Sequence, residues 1–226
     1  QYSTTTDSSG QYSLTLPNST TGTPINVRFL TTADTIDKDT NAPTGANISF
    51  AAAPVTPIAT NLADVETVIS PITDIVANLI DTGLTEAEAE QETLEALGLD
   101  VATVGGTVEI DLKTFNPFEE NIGVTASLDE ATVAKVAAVG AQIFSMVHTA
   151  SEAASAAGLD KGEAVAAAIN SLSQQIAENV DTDSTAAVVT IDLTDTAVIE
   201  KVIDSTTANA TLDEQIKVEL VKTSVS

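Results

Sequence analysis

The sequence predicts an α+β chain in which short strands come first and Ala-rich helices follow. Apolar residues alternate in the first 55 residues, as is typical of strands, and recur at helical spacing from Pro57 onward. Charge changes at the same place, because only four of the 33 acids lie in residues 1–55. We therefore predict a boundary near Pro54, between a β domain (1–55) and a helical domain (56–226).

The first strand signal is a turn followed by strict alternation. Asp7–Gly10 supplies turn residues, and Tyr12, Leu14 and Leu16 then alternate with polar side chains up to Pro17. Four short strands make an open sheet with an apolar face, which stays uncovered unless the helices cover it. The predicted strands are 1–6, 11–16, 25–29 and 46–52.

In the second part of the chain, capping residues predict where the helices begin. Ser70-Pro71 is typical of an N-cap and a first helical residue, and Thr85–Glu88 is a capping box. Gly98 is predicted to end that helix in the left-handed conformation. Further helices are predicted before Ser70 (Leu62, Val65, Val68, Ile69), from Ser127, from Asp160 and over 194–205. Additional strands are predicted at about 104–112, 187–193 and 216–225.

Two stretches resemble parts of known secreted bacterial proteins. Thr6-Asp7-Ser8-Ser9-Gly10-Gln11-Tyr12-Ser13-Leu14 resembles the hairpin of carboxypeptidase-regulatory-like (prealbumin-like) β-sandwich modules. In that family, strands precede this hairpin, so the resemblance implies an incomplete N-terminal β-sandwich. The segments 69–73, 83–89, 96–99 and 111–118 resemble the helical module that often follows such a pattern. The resemblance implies an extracellular or cell-surface location on a bacterium.

Composition restricts the classes of partner. The 226 residues hold 33 acids and eight bases, a net charge of −25, so nucleic acid and anionic membranes are poor partners. No run of about 18 apolar residues occurs, and no membrane span is predicted. The chain has no cysteine, which excludes disulfides and thiolate metal sites.

Catalytic signals are weak, and no catalytic residue or cofactor is predicted. His148 is the only histidine, and no nucleophile motif accompanies it. The loop with Asp34, Asp37 and Asp39 is a candidate Ca²⁺ site, since closely spaced oxygen ligands suit that ion. The alternative for this loop is a solvated turn.

These observations lead to a structural function without catalysis. We expect an extracellular, self-assembling subunit of a bacterial surface filament or layer, whose copies join by β-strand complementation. The partners are then copies of the chain itself. The alternative is a module of a large secreted adhesin that binds a surface ligand. The residues predicted to take part in assembly are Tyr2, Tyr12, Leu14, Leu16, Ile216, Val218 and Leu220.

Overall fold

The computed structural model describes residues 2–17, 22–37, 42–45, 47–56, 66–99, 110–116, 130–179 and 190–208. Within these ranges, four short strands are followed by five helices. The strands are β1 (Arg28–Leu30), β2 (Ile36–Asp37), β3 (Ala42–Pro43) and β4 (Ser49–Ala51). The helices are α1 (Pro71–Asp81), α2 (Glu86–Ala96), α3 (Glu130–Ala156), α4 (Lys161–Asn179) and α5 (Thr196–Thr207).

The strands form two antiparallel pairs, β1 with β4 and β2 with β3. In the first pair Phe29 lies opposite Phe50. The pairing continues past the strand ends, because Ile25 and Val55 exchange both backbone hydrogen bonds (2.8 and 3.0 Å). The register shifts by one residue before that last pair, which makes a bulge that accommodates Pro54.

The predicted incomplete β-sandwich is wrong. The described residues form only two two-stranded sheets, whose strands are two or three residues long. Such small sheets cannot enclose a core of their own. Ile48, Phe50 and Ala53 instead belong to the same apolar core as the helices, so the helices cover the sheet. The boundary near Pro54 stays a prediction, since residues 57–65 lie outside the described part.

The N-terminal segment forms its turn but not its strands. The Gly10 N–H donates to the Asp7 carbonyl (3.1 Å), with Gly10 at φ +80°. Tyr12, Leu14 and Leu16 are half-buried between exposed neighbours, as the alternation predicts. Residues 2–17 nevertheless contain no strand, so the predicted hairpin is wrong beyond its turn.

The predicted starts of α1 and α2 and the predicted end of α2 are confirmed, whereas the helix predicted over 194–205 lies at Thr196–Thr207. The Ser70 hydroxyl accepts from the Thr73 N–H at the start of α1, and Thr85 forms a reciprocal capping box with Glu88. Gly98 has φ +64°, which lets the Leu99 N–H reach the carbonyl of Leu94 (2.7 Å) at the end of α2. These local patterns need no tertiary contact, which explains why the sequence predicts them.

Other predicted elements differ or lie outside the described ranges. Residues 66–70 are not helical; instead the Val68 N–H donates to the carbonyl of Lys113 (2.6 Å). Ile191 and Leu193 are buried in alternation as predicted, yet residues 190–193 form no strand. The Ile191 N–H bonds instead to the end of α2, at Ala96 (2.7 Å). Residues 101–109, 127–129 and 209–226 are not described.

Small side chains fill the contacts between the long helices. α4 packs against α1, α2, α3 and α5. Few aromatic side chains are fully buried, and alanines take their place along α3 and α4, which allows close approach of the helices. The buried alanines of these two helices are Ala150, Ala153, Ala154, Ala164 and Ala168.

Among the described residues, α3 is the one helix long and apolar enough to cross a membrane, judged by length and composition (Ala131–Ala156). A core helix of a soluble protein meets the same test. α3 packs here against α1, α4 and α5, and buries Ile143 and Val147 in the shared core. The expected absence of a membrane span stays a prediction.

Adding volume to this core should destabilise the protein. Ala154 is fully buried on α3, so Ala154→Leu should lower the free energy of unfolding by about 1–3 kcal/mol through overpacking. Ala141→Leu makes the same change at an exposed position of α3 and should have little effect. Urea denaturation of both variants tests this, and equal effects would contradict the packing.

Candidate functional site

The most exposed large apolar side chains lie before the helices. Within the described ranges these are Tyr2, Leu30 and Ile36, which are 54%, 61% and 52% exposed. Single exposed apolar residues are common, but three at one end of a chain are informative. The β segment, defined as the described residues of 25–55, and the segment before it therefore form the candidate interaction region.

One edge of the β segment is open. Val27, Phe29 and Thr31 direct their backbone groups to the β4 side. In an antiparallel pair the intervening residues direct theirs the other way, so Arg28 and Leu30 face outward. No described residue pairs with this side of β1. We call it the open β1 edge, and an unpaired edge is a template for a further strand.

The opposite edge of the sheet is closed by the first turn of α1. The Thr73 hydroxyl donates to the carbonyl of Ala51 (2.9 Å), and the Ala51 N–H lies close enough to the carboxyl of Asp74 to oppose the rise of its pKa. Both backbone groups of Ala51 therefore face the first turn of α1. At Ala51 this edge is covered by α1, whereas no described residue covers the open β1 edge.

Asp74 is a buried carboxyl at this contact, only 5% exposed. Its burial raises the pKa from 3.8 to about 7, against the lowering effects of the Ala51 N–H and the Arg28 charge. The Asn78 amide lies 3.4 Å from the carboxyl. At neutral pH this group therefore exchanges between its neutral and ionised forms.

The face of β4 is fixed by aromatic contacts with α3. The Phe50 and Phe144 ring centroids are 6.1 Å apart, and Phe144 stacks on His148 at 6.0 Å. Lys161, and more weakly His148, lowers the pKa of Glu152. His148 thus lies beside the contact between the β segment and the helices. That no residue is catalytic stays a prediction.

The candidate calcium ligands are only partly described. Asp34 is exposed in a turn, Asp37 lies in β2 without a described side chain, and Asp39 lies outside the described residues. Among the residues that are described, no group of three or more His, Asp or Glu side chains is arranged to hold a metal. Calcium binding by this loop stays a prediction.

The four predicted assembly residues that the structure describes differ in their exposure. Tyr2 is exposed, whereas Tyr12 is half-buried and its hydroxyl donates to the carbonyl of Thr67 (3.2 Å). Leu14 and Leu16 are also half-buried. The three predicted residues near the C-terminus, Ile216, Val218 and Leu220, lie outside the described part.

Sequence reasoning missed Thr73 and Asp74. Asp74 lies on the side of α1 away from the apolar face of Ile72, Val76 and Leu79, where periodicity predicts solvent. The only local signal is its place in the first turn of a helix, which acidic residues favour for the helix dipole alone.

Comparison with known proteins gives no relatives. No family model matches the chain, and no curated protein or solved structure matches it. The resemblance to prealbumin-like modules therefore stays a prediction, carried by the residues quoted for it.

Asp74 should make the stability of the protein depend on pH. In the unfolded chain this carboxyl ionises near pH 3.8, whereas in the folded protein it keeps its proton up to about pH 7. The free energy of unfolding should therefore fall by about 4 kcal/mol at most as pH rises from the first value to the second. Above the second value Asp74 is ionised in both states, so it causes no further change.

Asp74→Asn should remove that part of the dependence, because the amide does not ionise. Urea denaturation across this pH range measures it as the difference between variant and wild type. Asp81→Asn makes the same change at an exposed position of α1 and should keep the wild-type slope. An Asp74→Asn slope equal to that of the wild type would contradict the assignment.

Proposed function

We propose that this chain is a non-enzymatic structural protein of a bacterial cell exterior, and that its copies join through the N-terminal region into a filament or layer. The observation that carries the proposal is the open β1 edge, with the exposed Leu30 side chain on it. A strand from another copy adds to such an edge by main-chain hydrogen bonds, and neighbouring side chains give specificity.

Residues 2–6 supply the donated strand in this proposal. All five side chains are exposed, and no described residue forms a sheet with them. Their sequence, Tyr-Ser-Thr-Thr-Thr, favours the extended conformation. Donation from each copy to the next is a head-to-tail contact, which continues without limit unless a ring closes. Pairing of two β1 edges with each other would stop at a dimer.

The charge distribution supports contact through this end of the chain. A net charge of −25 makes copies repel each other, most strongly at low ionic strength. Residues 1–55 hold only four acids and two bases. Contact between copies through this region therefore brings together fewer like charges than contact through the rest of the chain. Arg28, one of the eight bases of the chain, lies on the open β1 edge itself.

A charge placed on the edge should block assembly. Leu30→Lys puts a solvated ammonium where the added strand would pack, and should abolish polymers. Ala141→Lys makes the same charge change at an exposed position of α3, far from β1 in the sequence, and should assemble like the wild type. Sedimentation velocity and negative-stain microscopy at about physiological ionic strength measure this.

Removal of residues 1–6 tests the donor separately. The truncated chain should keep its helices by circular dichroism, lose self-assembly, and still cap polymers of the intact chain through its own β1 edge. Normal polymers from the truncated chain would contradict donation by this segment. An intact chain that stays monomeric at high concentration would contradict the assembly proposal and favour the adhesin alternative.

A further inference from the structure

Besides the burial of Ile48 and Ala53 in the shared core, two contacts of β4 hold the β segment on the helices. Phe50 packs its ring against Phe144 of α3, and Ala51 lies against the first turn of α1, where its carbonyl accepts from Thr73 beside the carboxyl of Asp74. The first contact is apolar and independent of pH. The second contact, between β4 and the first turn of α1, includes the carboxyl of Asp74, which is ionisable.

The two forms of that carboxyl fit the junction differently. A neutral carboxyl lies beside the Ala51 backbone without carrying charge into a site that is 5% exposed. An ionised carboxylate in the same place loses most of its hydration, and no described cation lies within ion-pair distance of it. Ionisation of Asp74 is therefore unfavourable as long as β4 covers α1. This cost disappears when β4 moves away, because water then reaches the carboxylate.

The charged groups around the junction do not compensate for this. β4 carries no ionisable side chain, and Arg28 of β1 is the one whose charge lowers the pKa of Asp74. Charged residues of the helices packed against α1 have no marked effect on the pKa of Asp74. In the described parts of those helices they include Glu86, Glu90, Lys135, His148, Glu152, Lys161, Glu163 and Glu178.

We propose that Asp74 is a pH-sensitive latch, which holds the β segment on α1 while its carboxyl is neutral and loosens that contact when the carboxyl ionises. The β segment then opens as a unit while the helical core stays folded. This goes beyond the proposed function, because the latch operates within one chain whether or not copies assemble. Burial places the change near neutral pH, where the pKa of Asp74 lies at about 7.

Amide hydrogen exchange followed by mass spectrometry tests the latch directly. After correction for intrinsic rates, the opening constant of peptides covering 25–31 and 47–55 should rise roughly thirtyfold from about pH 5.5 to about pH 8.5. Peptides of α4 should show no such rise, since they report on the core. In Asp74→Asn, whose amide resembles the neutral acid, the rise should vanish.

Two further variants separate the latch from a merely structural role. Asp81→Asn, on the exposed part of the same helix, should behave as the wild type. Arg28→Gln removes the charge that favours the carboxylate, so the midpoint of opening should move to higher pH. The latch is overturned if the β segment opens equally at both pH values, if Asp74→Asn keeps the wild-type rise, or if α4 opens in parallel.

Discussion

The contact between α1 and β4 is the interaction on which the arrangement of this protein depends. α1 is amphipathic, and its apolar face packs into the helical core through Ile75 and Leu79, which are completely buried. Its first turn is also buried on the other side, because β4 lies across it at Ala51. The helix is therefore covered on two faces, and it joins the small sheet to the helices.

This contact also explains why so small a sheet is stable. A two-stranded pair is marginal in water when it stands alone. Here one face is covered by Phe144 through Phe50, and one edge is closed by Thr73. The open β1 edge has no strand partner among the described residues, so the packing that stabilises this sheet leaves an edge to which a further strand can pair.

The helical core reaches close packing with few large side chains. Ala150, Ala154 and Ala157 of the α3 region are fully buried, as are Ala164 and Ala168 of α4. Small residues lose little conformational entropy on burial and let helices approach closely, but each buries little apolar area. Ile143, Ile169 and Leu172 therefore supply much of the buried area at the centre.

Acidic side chains are placed in two distinct ways. On α2, Glu88 caps Thr85 within the first turn, whereas Glu86 pairs with Lys113, which lies outside the helix. Glu90, half-buried, accepts from the Leu112 N–H (2.5 Å), and its burial raises the pKa of that carboxyl. Asp74 differs from these because it is only 5% exposed, at the contact of α1 with β4. The acid that is sensitive to neutral pH is thus the one at the junction of sheet and helices.

The sequence by itself determined the features that depend on neighbouring residues. Ser70-Pro71, the Thr85–Glu88 box and Gly98 satisfy helix-end hydrogen bonds within a few residues, so their pattern is legible without a fold. Alternation likewise predicted which side chains of residues 11–16 are half-buried. It did not predict pairing, because strand pairing depends on a distant partner and on what covers the sheet.

Only the tertiary structure decided the rest. The strand signals at 11–16 and 190–193 became irregular segments, the second bonded to the end of α2 at Ala96. In place of the predicted sandwich there is a small sheet covered by helices. Phe50 packs on α3, and this buries the apolar face of the sheet in the core of the helices. Asp74 became buried for the same reason: helical periodicity places it toward water, and only the position of β4 removes that water.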